Sequence, residues 1–230
     1  PEERFYQRVL AADANEAADQ AEQQLKKVAL SDYYDDVPMK ALLLAQADAA
    51  NGKLSRDKQV EIRDTMEEIV EDLDEYCDET PQTKSAKAGK ETAEAEGDGD
   101  AQDKLVASAV PVLSRGQLPD TWQLPHPVLC IPSRSALDES ACFMLAQLLE
   151  KHGVGAWTQP FEDISNPKTM RIGMTDAPLV FLSYFGTTSK PAPVRYLVRR
   201  LKRIMPNAKF MVGFWTLGDD RKKVDEWTHA

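Results

Sequence analysis

The sequence predicts an α/β fold, a parallel sheet with helices on both faces, carried behind a small helical segment. Three observations predict it. Between residues 128 and 214, short apolar runs alternate with amphipathic stretches of helical length. Residues 1–77 show helical periodicity throughout. Between these regions, residues 78–103 hold no aliphatic side chain larger than Ala. Strand and helix repeated in alternation call for crossover connections, and these give a parallel sheet.

In the N-terminal segment, Asp13 followed by Glu16 is a capping-box pattern that sets acidic groups at the positive end of a helix. Ala17, Ala21, Leu25 and Val28 then recur at helical spacing. Ser31-Asp32 before Tyr33 starts a second helix, whose apolar face is Met39, Leu42, Leu43 and Ala47 and whose stop is Asn51-Gly52. Ser55 caps a third helix with the stripe Ile62, Met66, Ile69, Val70 and Leu73. Three such helices bury little alone and need each other or a partner surface. Residues 78–103 are too polar to offset the entropy of ordering and are expected to be a disordered acidic linker.

The C-terminal domain is expected to span residues 104–230. Val128-Leu129-Cys130-Ile131 reads as a buried strand, and Leu137 to His152 as a helix stopped by Gly153. Val154 to Thr158 is a second strand, and 162–174 a weaker helical pattern. Leu179 to Ser183 is a third strand, unbroken and apolar as parallel strands are. Val194 to Met205 is a basic helix and Phe210 to Phe214 a fourth strand. The order is flavodoxin-like. Ligands of such sheets bind beyond the C-terminal strand ends, which selects the loops 132–138, 183–191 and 213–219.

The net charge of −10 is unevenly distributed: −10 in residues 1–77, −5 in 78–103 and +5 in 104–230. The two folded parts therefore attract each other, and the acidic half argues against nucleic acid as a partner. Cys77, Cys130 and Cys142 have no metal or redox spacing, and Cys130 and Cys142 read as small core residues in a reducing compartment. No run reaches the roughly 20 apolar residues of a membrane-spanning helix. The chain begins at Pro1 rather than Met, so it is expected to be part of a longer protein. His126, His152 and His229 have no nucleophile at a recognisable spacing, so no catalysis is expected.

The stretch Leu182-Ser183-Tyr184-Phe185-Gly186-Thr187, with Gly213 after the next strand, resembles the cobalamin-binding domain family, which carries Ser, Thr and Gly at these places. Where that family has Asp, His and Gly, this chain has Ala136, Asp138 and Ala141, so the cobalt-ligating His is missing. Tyr34-Asp35-Asp36-Val37-Pro38 and Gly52-Lys53-Leu54-Ser55 resemble the helical cap preceding that domain, without its Trp and Glu-His. A second resemblance covers more of the chain. Glu3-Arg4-Phe5-Tyr6-Gln7-Arg8-Val9-Leu10-Ala11, Glu16-Ala17-Ala18-Asp19-Gln20-Ala21-Glu22 and Arg195-Tyr196-Leu197-Val198-Arg199-Arg200-Leu201 are similar to the C-terminal extension of some bacterial autoinducer-2 exporter family permeases. This resemblance implies an attached membrane permease, a cytoplasmic location tethered to the inner membrane, and no catalytic residues.

These readings lead to a non-catalytic regulatory domain that senses a small-molecule ligand and needs no resident cofactor or metal. The ligand is expected at Ser133, Arg134, Asp138, Ser183, Thr187 and Gly213. Ser133-Arg134-Ser135 can hold an anion, with donors from Arg134 and the following helix N-terminus. Two alternatives stand beside this: a structural module for homo-oligomerisation whose ligand site has decayed, and a corrinoid-binding domain that takes base-on cobalamin. The basic helix, with Arg195, Arg199, Arg200, Lys202 and Arg203, reads as a solvated face or as a docking surface for the acidic helices or anionic lipid.

Overall fold

The computed structural model describes residues 1–79, 112–165, 172, 176–186 and 192–217. Of the expected linker, residues 80–103 lie outside this set, as do Thr187 and residues 218–230.

Five helices form the N-terminal segment: α1 (Glu2–Leu10), α2 (Ala14–Leu25), α3 (Leu30–Asp36), α4 (Pro38–Ala50) and α5 (Arg56–Asp72). Asp13 caps α2 by accepting from the Glu16 N–H at 3.3 Å, and Ser55 caps α5 by accepting from the Lys58 N–H at 3.2 Å. The expected second helix is two. Val37 precedes Pro38 and sits at φ −120°, ψ −70°, outside the helical region. The proline ring disfavours helical geometry in its predecessor and begins the next helix well. The first of the five, α1, buries Phe5, Tyr6 and Val9.

The α/β part contains β1 (Val128–Pro132), α6 (Ala136–Lys151), β2 (Ala156–Thr158), α7 (Phe161–Ser165), β3 (Leu179–Tyr184), α8 (Ala192–Ile204) and β4 (Lys209–Phe214). All strands are parallel, in the order β2-β1-β3-β4, the flavodoxin-like arrangement that the alternation predicted. Pro132, Ser183 and Gly213 lie side by side in register at the C-terminal edge. Successive strand residues face opposite sides of a sheet. Leu129, Ile131, Val180 and Leu182 accordingly meet Leu197, Leu201 and Met205 on the α8 face. Val128, Cys130 and Phe181 meet Cys142 on the α6 face. Gly153 ends α6 at φ +83°, and a Cβ there would lie 1.7 Å from the Leu113 carbonyl oxygen, so only glycine fits.

The helical segment stacks on the outer side of α6 and reaches the strand ends. One continuous core joins Leu42, Ile62, Met66 and Ile69 to Leu137, Ala141, Met144 and Phe185. Polar bridges cross the same boundary. Tyr34 donates to Gln147 Oε1 at 2.5 Å, while Gln147 donates to the Val70 carbonyl. Arg63 pairs with Glu139 and Glu162, both at 2.9 Å. Lys151 pairs with Asp74, and His152 with Asp78 at 2.8 Å. These pairs run in both directions of charge, so local geometry rather than the bulk charge of each part joins them. The basic helix α8 forms no ion pair with the acidic helices among the described residues; Arg199 bonds the Arg195 carbonyl within α8. Among these residues no helix is long and apolar enough to cross a membrane.

Candidate functional site

The strand order reverses between β1 and β3, and the loops leaving these two strands meet there. A crevice outside the strand ends at such a reversal is where sheets of this kind bind ligands. In this chain the start of α5 overhangs it.

Asp138 ties the two loops together. It is 1% exposed. Its Oδ2 accepts from Ser133 Oγ at 3.1 Å, Arg134 N at 2.7 Å and Ser135 N at 3.0 Å. Its Oδ1 accepts from Phe185 N at 2.7 Å, across the strand reversal. Ser135 Oγ returns the cap by accepting from Asp138 N at 3.3 Å. Burial pushes the Asp138 carboxyl up to about 6, and these four donors restrain the rise. Both oxygens are committed to the protein. Asp138 shapes the loop from which a ligand is met, and it is not itself open to one.

Trp215 covers Ser183 and packs against Gly213. The indole N–H donates to Ser183 Oγ at 2.9 Å, and Ser183 is fully buried. A Cβ on Gly213 would come within 2.8 Å of both the Trp215 and Phe181 rings. The glycine thus makes room for the protein's own indole. These residues do not fit a His-ligated corrinoid: the position for the cobalt-ligating His is Asp138, already engaged, and Trp215 stands against Ser183 and the Cβ side of Gly213.

Open space lies beside this plug. A cavity of about 440 Å³ is walled by Arg56, Gln59 and Val60 of α5, Ser133 to Ala136 of the β1–α6 turn, Phe161 of α7, and Tyr196 and Arg200 of α8. A smaller recess shares Arg56, Gln59, Arg134 and Ser135 with it and runs back to Asp138 and Phe185. Among the described residues no carboxylate lines the larger cavity. The side chains of Arg56, Arg134 and Arg200 make no ion pair or hydrogen bond with any described residue. Elsewhere Arg8, Lys40, Lys58, Arg63 and Lys151 all find acidic partners.

Of the six expected residues, Ser133 and Arg134 line the cavity, Asp138 supports it, Ser183 and Gly213 lie under Trp215, and Thr187 falls outside the described residues. Sequence reasoning missed Arg56, Tyr196 and Arg200 as site residues. One signal was available. Arg56 directly follows the cap Ser55, and Arg134 directly precedes the cap Ser135, so both add positive charge to the positive end of a helix. Such placement costs roughly 0.3–1 kcal/mol and needs a compensating reason. His126 and His152 have structural partners, the Ala156 carbonyl and Asp78. No family model, curated protein or solved structure matches this chain.

Proposed function

We propose that this chain is a non-catalytic ligand-sensing domain that regulates a membrane permease to which it is attached on the cytoplasmic side. One observation carries the sensing part: the cavity at the strand reversal is walled jointly by the helical segment and the α/β domain. A ligand there touches both parts at once and prefers the arrangement in which they are closed together. That preference is what a ligand needs in order to shift a conformational equilibrium. The permease part rests on the resemblance of residues 3–11, 16–22 and 195–201 to the extension of autoinducer-2 exporter family permeases. A thermal-shift screen of residues 1–230 against small anions, nucleotides and cobalamins tests the reading. A ligand at about 100 times its dissociation constant adds about 2.7 kcal/mol, or roughly 5–11 °C for a chain of this size. Hydrogen exchange of α5 must slow with the same ligand. A screen without hits, or a hit that leaves α5 exchange unchanged, removes the sensing role.

A second reading, a structural module for self-association, draws support from β4. It is one of the two edge strands among the described residues, and Met211 on it is 56% exposed. Sedimentation velocity across a wide concentration range decides it. A monomer at every concentration sinks this reading.

A further inference from the structure

We infer that the cavity takes a small molecule with a phosphate-type anion joined to a planar ring. The anion lies among Arg56, Arg134 and Arg200, and the ring lies on Tyr196. The inference rests on the sensing reading of the same cavity and names its ligand class.

Charge is the first argument. Three arginines from three separate elements, α5, the β1–α6 turn and α8, line one cavity that no carboxylate lines among the described residues. The chain has ten more acidic than basic side chains, so acidic partners abound, yet these three arginines have none among the described residues. Three positive side chains beside the N-termini of α5 and α6 favour an anion here. The planar five-donor fork of arginine matches the oxygens of a phosphate group better than it matches a monatomic anion. Neutral donors complete the set. The Ser133 hydroxyl is given to Asp138, but Ser135 uses only its oxygen as an acceptor and keeps its O–H proton to donate.

Shape is the second argument. A volume of about 440 Å³ exceeds what a bare inorganic anion fills and lies in the range of roughly 300–1,000 Å³ typical of small-molecule sites. The space away from the turn is apolar: Phe161, Ile164, Pro193 and Leu197 line it. Tyr196 is 57% exposed, a large ring left uncovered at the rim. An aromatic face beside an arginine cluster suits a ring that stacks while its charged group is held.

Isothermal titration of residues 1–230 with AMP, inorganic pyrophosphate and adenosine tests the inference. AMP and pyrophosphate should bind and adenosine should not. R134Q and R200Q should each weaken AMP at least tenfold without lowering the melting temperature. Y196A should weaken AMP and leave pyrophosphate binding unaffected. Affinity should fall as salt is raised from 50 to 500 mM. Equal affinity for AMP and adenosine, or no loss in either arginine variant, overturns the inference. Co-sedimentation with phosphatidylglycerol vesicles without AMP binding assigns the arginines to a membrane surface and overturns it too. Hydrogen exchange separates the two levels of the argument. AMP binding with unchanged exchange in α5 supports the anion site and sinks the sensing role. No binding of AMP or pyrophosphate, with a neutral compound protecting α5, sinks the anion site and keeps the sensing role.

Discussion

Asp138 concentrates the chemistry of the fold into one side chain. Its carboxylate collects three backbone N–H groups and one hydroxyl, and so joins the exits of β1 and β3. Asp138→Asn keeps the size but offers one acceptor oxygen and presents an N–H to donors that need an acceptor. Unpaired buried donors cost about 1–3 kcal/mol each. The substitution should therefore cost about 3 kcal/mol at pH 7, a melting-point drop of roughly 6–12 °C. The pH dependence has a definite sign. Burial holds the folded carboxyl at about 6, above the value near 4 of an unfolded aspartate. Between these values the folded chain keeps a proton that the unfolded chain has released. Stability from this group is thus fully present below about pH 4 and declines, by about 3 kcal/mol in all, as pH rises to about 6. Urea melts of the wild type and Asp138→Asn from pH 4 to 7 should show the gap between them narrowing across that window. A gap that widens would mean that the four donors outweigh burial.

At the scale of elements, the contact of α5 with α6 decides how the two parts are joined. Arg63 is 14% exposed at its side chain and Glu139 only 4%, with 2.9 Å between them. Burial raises the Glu139 carboxyl, and the Arg63 guanidinium opposes that rise. Removing one partner of such a pair leaves a buried charge alone, at a cost of roughly 3–5 kcal/mol. Arg63→Met should show this cost in urea unfolding, and Arg63→Met with Glu139→Met should recover most of it. Additive losses in this double-mutant cycle would show that the pair is not coupled. At the far end of the same face, Asp78 accepts from the Ser31 N–H at 2.7 Å and pairs with His152. Burial raises the Asp78 carboxyl, but the bonds from His152 and Ser31 outweigh it and leave it below the usual aspartate range. Its contribution is present above the unfolded value near 4 and is lost as pH falls. Asp78→Ala should cost about 2 kcal/mol at pH 7, measured by the same melts.

For the whole molecule, the shared core predicts a single cooperative unit. Leu137, Ala141, Met144 and Phe185 of the α/β part belong to the same apolar cluster as the helical segment. Calorimetry of residues 1–230 should give one transition whose calorimetric and van't Hoff enthalpies agree. Residues 104–230 alone would expose that face and should bind an apolar dye such as ANS. Two separable transitions, with a fragment that stays compact and dye-free, would show instead that the parts dock as independent domains.

Much of the architecture was legible in the residues themselves. Unbroken apolar runs marked the four strands, and the caps Asp13 and Ser55 stand where helices start. These signals are local, because backbone geometry and burial act over a few residues. The break at Val37-Pro38 was also a local signal, and it was read through because the apolar face continues across it. The site was less legible. Arg134 and Ser133 were found because they follow a strand in a sheet whose binding edge is known from topology alone. Ser183 and Gly213 lie at the C-terminal edge of the sheet and Asp138 at the start of α6, yet only the packing of Trp215 and the donors around Asp138 decide that Asp138 and Ser183 are engaged within the protein. Arg56 and Arg200 are 144 positions apart in sequence. Their convergence depends on how α5 overhangs the sheet and where α8 crosses it. The sequence by itself determined the elements, their order and the edge of the sheet at which to look. The tertiary structure alone decided which charges line one cavity there, because that arrangement arises from packing between elements distant in sequence.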